Sequence, residues 1–243
     1  MDEMCRAYCS TTVGSLPIIT IAFDHRNHGE RAVGYDLGNV GWPTSPEKEG
    51  NPMHAVDMYA IQHGTAKDIS FLIDHLPAAL EVDGRVRVVE WGVSGISLGG
   101  HSSLLAVMND ARISFAIPIV GCGDYETLMR DRHQGILARH RDLVPWGKAF
   151  PPSLQALVRR VDPIHRVHSL AAERAPTAFP RILFLGGGND KLVPVSASEL
   201  FWTKLTEVYQ VHGQLDKLTW VVDDQAGHEC SGKMAEVACK WLS

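Results

Sequence analysis

The sequence predicts an α/β fold, a mostly parallel sheet with helices on both faces. Short apolar, β-branched runs of strand length recur along the chain, and segments with helical three- and four-residue apolar spacing separate them. Between one such run and the next helix lies the glycine-rich corner Gly95-Ile96-Ser97-Leu98-Gly99-Gly100, a strand-to-helix turn of the kind these sheets contain. A chain of 243 residues, 45% hydrophobic and 21% charged, suits one domain spanning 1–243 with a sizeable core, and excludes a disordered or fibrous chain.

Each element follows from its own pattern. Leu16–Phe23 (LPIITIAF) is nearly all apolar, as a strand covered on both faces would be, and it ends in the polar turn Asp24-His25-Arg26-Asn27-His28-Gly29. After a Gly/Pro-rich stretch through Pro52, His54–Leu80 places Val56, Tyr59, Ala60, Ile69, Leu72, Ile73 and Leu76 on one helical face. Val86–Val93 is a strand, Leu98–Met108 a helix and Ile113–Val120 a strand. From Gly121 to Ala178 the alternation stops. A charged, proline-interrupted helical stretch carrying Arg130, Arg132, Arg139 and Arg141 reads there as an insertion over the sheet. The rhythm returns with strand Arg181–Leu185, helix Ser196–Val211, strand Leu218–Val222 and helix Gly232–Leu242.

Composition removes several function classes. With 23 Lys+Arg against 28 Asp+Glu the net charge is −5, so there is no global footprint for nucleic acid. Cys5, Cys9, Cys122, Cys230 and Cys239 are scattered without metal or redox spacing and read as free thiols. The opening residues lack the basic and apolar regions of a signal peptide, and no run approaches the roughly 18 apolar residues of a membrane span. The expectation is a cytoplasmic protein with no membrane partner. The pairs His25/His28 and His165/His168 have no third ligand at fitting spacing, so they read as surface or turn histidines and no metal is expected. Gly186-Gly187-Gly188 lacks a phosphate-loop pattern and reads as a flexible turn, and no cofactor is implied. Cys122 reads as a small packed residue, and the four arginines as a solvated helix face, with selection of an acidic substrate as the sharper alternative.

The chemistry concentrates at three residues beyond the carboxyl ends of strands. Ser97 sits at the tip of the glycine corner, where side chains in place of the flanking glycines would clash as the backbone bends. The amide of Leu98, at the start of the following helix, can donate to a developing oxyanion. A serine hydroxyl needs a base, and the base needs a partner that fixes its tautomer. His228, after strand Leu218–Val222, and Asp190, after strand Arg181–Leu185, supply both. Asp223 and Asp224 lie too close to His228 in sequence to be preferred. The duller role for Asp190 is as the cap of its own turn.

The G-x-S-x-G corner and the order serine, acid, histidine resemble the α/β-hydrolase superfamily. Asp24-His25-Arg26-Asn27-His28-Gly29 resembles the D-x-R-x-H-G turn of its prolyl oligopeptidase-like and dienelactone hydrolase-like branch. The resemblance runs from about Pro17 to the end. It implies that Ser97 is the nucleophile, Asp190 the orienting acid and His228 the base, with residues 121–178 as a lid over the acyl pocket. The implied activity is hydrolysis of a small-molecule ester, thioester or amide. An acyltransferase on the same triad and a non-catalytic interaction scaffold, which would form a homodimer through an open strand edge, are the alternatives.

In the family this turn follows the fourth strand, so the resemblance also implies an N-terminally truncated fold without the first three strands. The loop supplying the second oxyanion donor would be absent with them, and Met1–Ser15 would be a remnant of the helix before the fourth strand. The third strand is an interior one. Its absence leaves two open edges unless Leu16–Phe23 slides across to Val86–Val93, and since unpaired buried backbone groups cost about 1–3 kcal/mol each, a simple gap is not expected.

Overall fold

The computed structural model describes residues 12–13, 16–33, 40–81, 84, 87–136 and 143–243. Near the start, β1 (Thr12–Val13) and β2 (Leu16–Pro17) form a short antiparallel pair. Then come α1 (His54–Leu80), β3 (Trp91–Ile96), α2 (Leu98–Asn109) and β4 (Ile113–Ile119). Residues 121–178 hold the helices α3 (Tyr125–Ile136), α4 (Trp146–Ala149), α5 (Pro152–Val161), α6 (Pro163–Arg166) and α7 (Leu170–Glu173). Pro152 and Pro163 each open a helix, where a missing N–H costs nothing. The chain closes with β5 (Arg181–Gly187), α8 (Ser196–Val211), β6 (Leu218–Asp223) and α9 (Gly232–Leu242).

Strands β3, β4, β5 and β6 form a parallel sheet in that order. Side chains alternate between its faces, so each strand feeds two cores. Ile182 and Phe184 pack with Ile73 of α1, Leu104 and Leu105 of α2, and Phe201 and Leu205 of α8. Their neighbours Leu183 and Leu185, with Ile117 and Ile119, meet Met234, Ala238 and Leu242 of α9. Helices α1, α8 and α9 have the expected bounds, and α2 runs one residue further than expected.

The amino-terminal expectations need correction. Of Leu16–Phe23 only Leu16–Pro17 is paired, and with β1, not with the parallel sheet. Residues 18–23 are outside any described strand, with Ile19 54%, Ile21 41% and Phe23 37% exposed. The run has not slid across. An apolar groove of about 420 Å³, lined among others by Ile18, Ile69, Leu72, Trp91 and Phe115, separates it from β3. The turn that follows is clamped to α1: Asp68 accepts from Arg26 Nε (3.0 Å) and Nη2 (2.6 Å) and from Arg31 Nη2 (2.8 Å). That anchor holds the run where it is.

Thr12–Val13 is strand and not helix, and the rest of the expectation for Met1–Ser15 lies outside the described residues. The strand expected at Val86–Val93 begins at Trp91, because Trp91 stands opposite Ile113, where β4 begins; Glu90 before it meets β4 only through its side chain, which accepts from Ser114 Oγ at 2.8 Å. Strand β4 ends at Ile119, and Val120, at a φ of 43°, turns the chain while still donating its N–H to Leu185 O at 2.8 Å. Arg139 and Arg141 lie outside the described residues. Among those residues no helix is long and apolar enough to cross a membrane, and no group of three or more His, Cys, Asp or Glu is arranged to hold a metal.

Candidate active site

The corner between β3 and α2 takes a conformation that few residues adopt. Ser97 has φ 57° and ψ −113°, in the region disfavoured for side chains, and its N–H donates to Ile119 O at 2.9 Å. The glycines divide into two kinds. A Cβ at Gly95 would lie 2.5 Å from the carbonyl carbon of Gly99, and one at Gly100 would lie 2.6 Å from Ile119 O. At Gly99 a Cβ would meet nothing within 4 Å, so the steric requirement expected of all the flanking glycines holds at two and fails at the third.

The loop after β5 brings in Asp190, whose side chain is 0% exposed. Its Oδ1 accepts from the amides of Leu192 (2.8 Å) and Val193 (2.9 Å), so it does cap its own turn. Its Oδ2 remains for His228 Nδ1, at 2.8 Å, and His228 Nε2 lies 2.7 Å from Ser97 Oγ. With Nδ1–H donating to Asp190, Nε2 is left to accept the Ser97 proton. The three residues read from the sequence thus form one hydrogen-bonded chain drawn from three strand ends.

Gly187 and Gly188 are there for close approach. A Cβ at Gly187 would sit 2.2 Å from Gly227 O, and one at Gly188 would sit 2.8 Å from Asp224 Cα. The acid and histidine loops therefore lie backbone to backbone, tied by Gly188 N to Asp223 O (2.9 Å) and Asn189 N to Ala226 O (2.9 Å). This corrects the expectation of a flexible turn. Asp223 is used elsewhere: its Oδ2 accepts from Ser231 Oγ (2.7 Å), which also caps α9 by accepting from Met234 N (3.2 Å).

Two histidines support the corner, and the pattern of the sequence did not single out either for this role. His101, one turn after Ser97, is buried, and its Nδ1 accepts from Cys122 N at 3.0 Å. Burial lowers its pKa to about 3, so it is neutral and ties α2 to the chain leaving β4. His25 lies between α1 and α2, with Nδ1 3.0 Å from Thr65 Oγ1 and Nε2 3.2 Å from Ser102 Oγ. Burial and then the neighbouring His28 lower its pKa to about 4. Because Ser102 Oγ already donates to Gln62 O (2.9 Å), the consistent tautomer has His25 Nε2–H donating to Ser102 and Thr65 donating to Nδ1. The D-x-R-x-H-G turn is thereby docked on both helices. Cys122 is buried with its thiol pushed up to about 12 by burial, as befits a packed residue.

Leu98 is the first residue of α2, where backbone N–H groups have no partner within the helix. Of the two described arginines singled out, Arg130 pairs with Glu126 (2.6 Å) and covers the Trp146 ring, as a surface residue does. Arg132 instead turns to the acid loop, where Nε (3.1 Å) and Nη2 (2.6 Å) both donate to Leu192 O. A solvated helix face describes the first and not the second.

With the geometry in place, comparisons with known proteins are informative. The sequence profile of the prolyl oligopeptidase family matches residues 62–242, about three quarters of the chain. No curated protein sequence matches. The solved structure of Pyrococcus horikoshii acylaminoacyl peptidase is similar, with a TM-score of 0.51 and 14% identity over 76% of this chain, which spans 27% of that protein. TT1662 from Thermus thermophilus is similar with a TM-score of 0.55 and 20% identity, over 83% of this chain and 73% of that one. At such identities the likeness speaks to the fold, which is that of the α/β-hydrolases. The family match, over the helices and strands that carry the Ser97 corner and both partner loops, shows that the chain belongs to the prolyl oligopeptidase family, a family of serine hydrolases.

Proposed function

We propose that this chain hydrolyses an ester, thioester or amide through Ser97, His228 and Asp190. The observation that carries the reading is the pair of contacts in series, Ser97 Oγ to His228 Nε2 at 2.7 Å and His228 Nδ1 to Asp190 Oδ2 at 2.8 Å. Ser97 Oγ attacks the substrate carbonyl carbon while its proton passes to His228 Nε2. Asp190 stabilises the imidazolium and holds its tautomer. The carbonyl oxygen gains the negative charge, and the N–H of Leu98, at the positive end of α2, donates to it. Collapse expels the leaving group with the proton from His228, leaving an acyl-serine. Water, deprotonated by the same histidine, then releases the acid and restores Ser97. The helices of residues 121–178 act as the lid that shapes the acyl pocket, and 1–243 functions as one domain.

The test is stoichiometric labelling with a fluorophosphonate probe, beside Ser97→Ala and His228→Ala shown by circular dichroism to be folded. Near-complete labelling of the parent chain, absent in both variants, is the expected result. A folded parent chain that stays unlabelled overturns the reading. The interaction scaffold would then be favoured, on the strength of the exposed Ile19, Ile21 and Phe23 beside the groove at β3.

A further inference from the structure

Arg132 stands against the acid loop, and among the described residues no carboxylate lies at salt-bridge distance from it. Its neighbour on α3, His133, is held by Val144 O at 2.8 Å, while the Arg132 guanidinium bonds Leu192 O, the carbonyl of the residue whose N–H donates to Asp190 Oδ1. The cation is thus two residues along the chain from the triad's acid. Its charge reaches His101, one turn from Ser97, and His54 at the start of α1, and adds to burial in lowering the pKa of both.

Of the other described arginines, Arg87, Arg159 and Arg160 are exposed to solvent, and the rest have their charge answered within the fold. Arg26, Arg31, Arg112, Arg130, Arg166 and Arg181 each have a carboxylate at salt-bridge distance. Buried Arg174 is spread over three carbonyls, of Val107, Asp110 and Ile113. Arg132 has one carbonyl accepting both of its bonds, and no described carboxylate pairs with it. Burial lowers its pKa, and the Asp190 carboxylate, which acts in the opposite sense from across the acid loop, does not fully offset it. A partly desolvated guanidinium with N–H groups to spare presents the planar fork that a carboxylate fills with two parallel bonds.

We propose that Arg132 binds a carboxylate carried by the substrate, so that this enzyme acts on esters or amides of anionic molecules. The proposal rests on the hydrolase reading above, and it makes Arg132 a specificity-determining residue. A purely positioning role, bracing the acid loop through Leu192 O, is the alternative that the test separates.

Two pairs of esters locate the carboxylate. On the acyl side, p-nitrophenyl hemiglutarate is compared with p-nitrophenyl butyrate. On the leaving-group side, 4-butyryloxybenzoate is compared with its methyl ester. The expected result is a kcat/KM ratio favouring the charged member of one pair by about ten- to a hundredfold, the scale of one charge-assisted hydrogen-bonded contact. In Arg132→Gln that ratio collapses towards one, chiefly through KM. Arg132→Lys, which keeps the charge without the fork, retains part of it, and Arg130→Gln leaves it unchanged. Absence of a preference in both pairs, or a ratio that survives Arg132→Gln while kcat falls on both members, overturns the proposal. Should no ester turn over, calorimetric binding of monomethyl glutarate and of 4-hydroxybenzoate to Ser97→Ala, with and without Arg132→Gln, decides the question independently of the hydrolase reading. Binding of either that needs Arg132 upholds the carboxylate site, and binding of neither, or binding indifferent to Arg132, removes it.

Discussion

Two runs of this chain carry the same local signal and end in opposite environments. Ile18 to Phe23 and Ile182 to Leu185 are both apolar and of strand length. The second lies between β4 and β6, with Leu183 and Leu185 each 0% exposed. In the first, which belongs to no described strand, Ile19 is 54% exposed and Ile21 41%. Apolar β-branched residues favour an extended backbone, but membership of a sheet requires a neighbour whose N–H and C=O groups are in reach. Burial follows the neighbours rather than the run's own composition.

The largest effect that tests this contrast is a charge in each run. Leu183→Asp places a carboxylate in a closed core and is expected to cost upwards of about 4 kcal/mol, enough to unfold the chain. Ile21→Asp faces the groove and solvent and is expected to cost less than about 1 kcal/mol. Urea denaturation measures both, and amide exchange should be fast at residues 18–23 and slow at 182–185. Comparable losses in the two variants would mean that both runs are enclosed in solution, and the contrast would fall.

A smaller effect distinguishes the glycines of the Ser97 corner by the same rule, that neighbours decide. Gly95→Ala pushes a methyl to 2.5 Å from the backbone of Gly99 and should destabilise by about 1–3 kcal/mol as well as displace Ser97. Gly99→Ala meets open space inside a helix and should be neutral or stabilise by up to about 1 kcal/mol. Fluorophosphonate labelling rates read the displacement and thermal unfolding reads the stability. Equal losses at the two positions would refute the steric account.

The smallest effect per unit of change is with pH. His25 and His101 have pKa values lowered from 6.5 to about 4 and about 3, so between these limits the unfolded chain binds protons that the folded chain refuses. Stability is fully present above 6.5 and is lost as pH falls, at about 1.4 kcal/mol per pH unit for the buried His101 and less for the partly exposed His25. Asp110, lowered to about 2 chiefly by its hydrogen bond from Arg112, adds its own loss only below its ordinary value of 3.8. Urea midpoints from pH 7 to pH 4.5 should therefore fall, and His25→Asn should flatten part of the slope. A flat profile would remove both histidines from the account. A loss confined to exchange at residues 18–33 would show that the amino-terminal turn releases alone.

The sequence by itself determined the α/β alternation, the bounds of α1, α8 and α9, and the order of Ser97, Asp190 and His228, because these rest on period, turn chemistry and the needs of an activated serine, all local or chemical in origin. Tertiary structure alone decided the rest. Whether Leu16–Phe23 joined the sheet, which of the corner glycines lacked room, that Gly187 and Gly188 serve backbone contact, and that Arg132 rather than Arg130 faces the acid loop all depend on what lies across space from each residue. His25 and His101 were equally opaque for the same reason. Their roles are set by Thr65, Ser102 and Cys122, partners far along the chain that no reading of adjacent residues brings together.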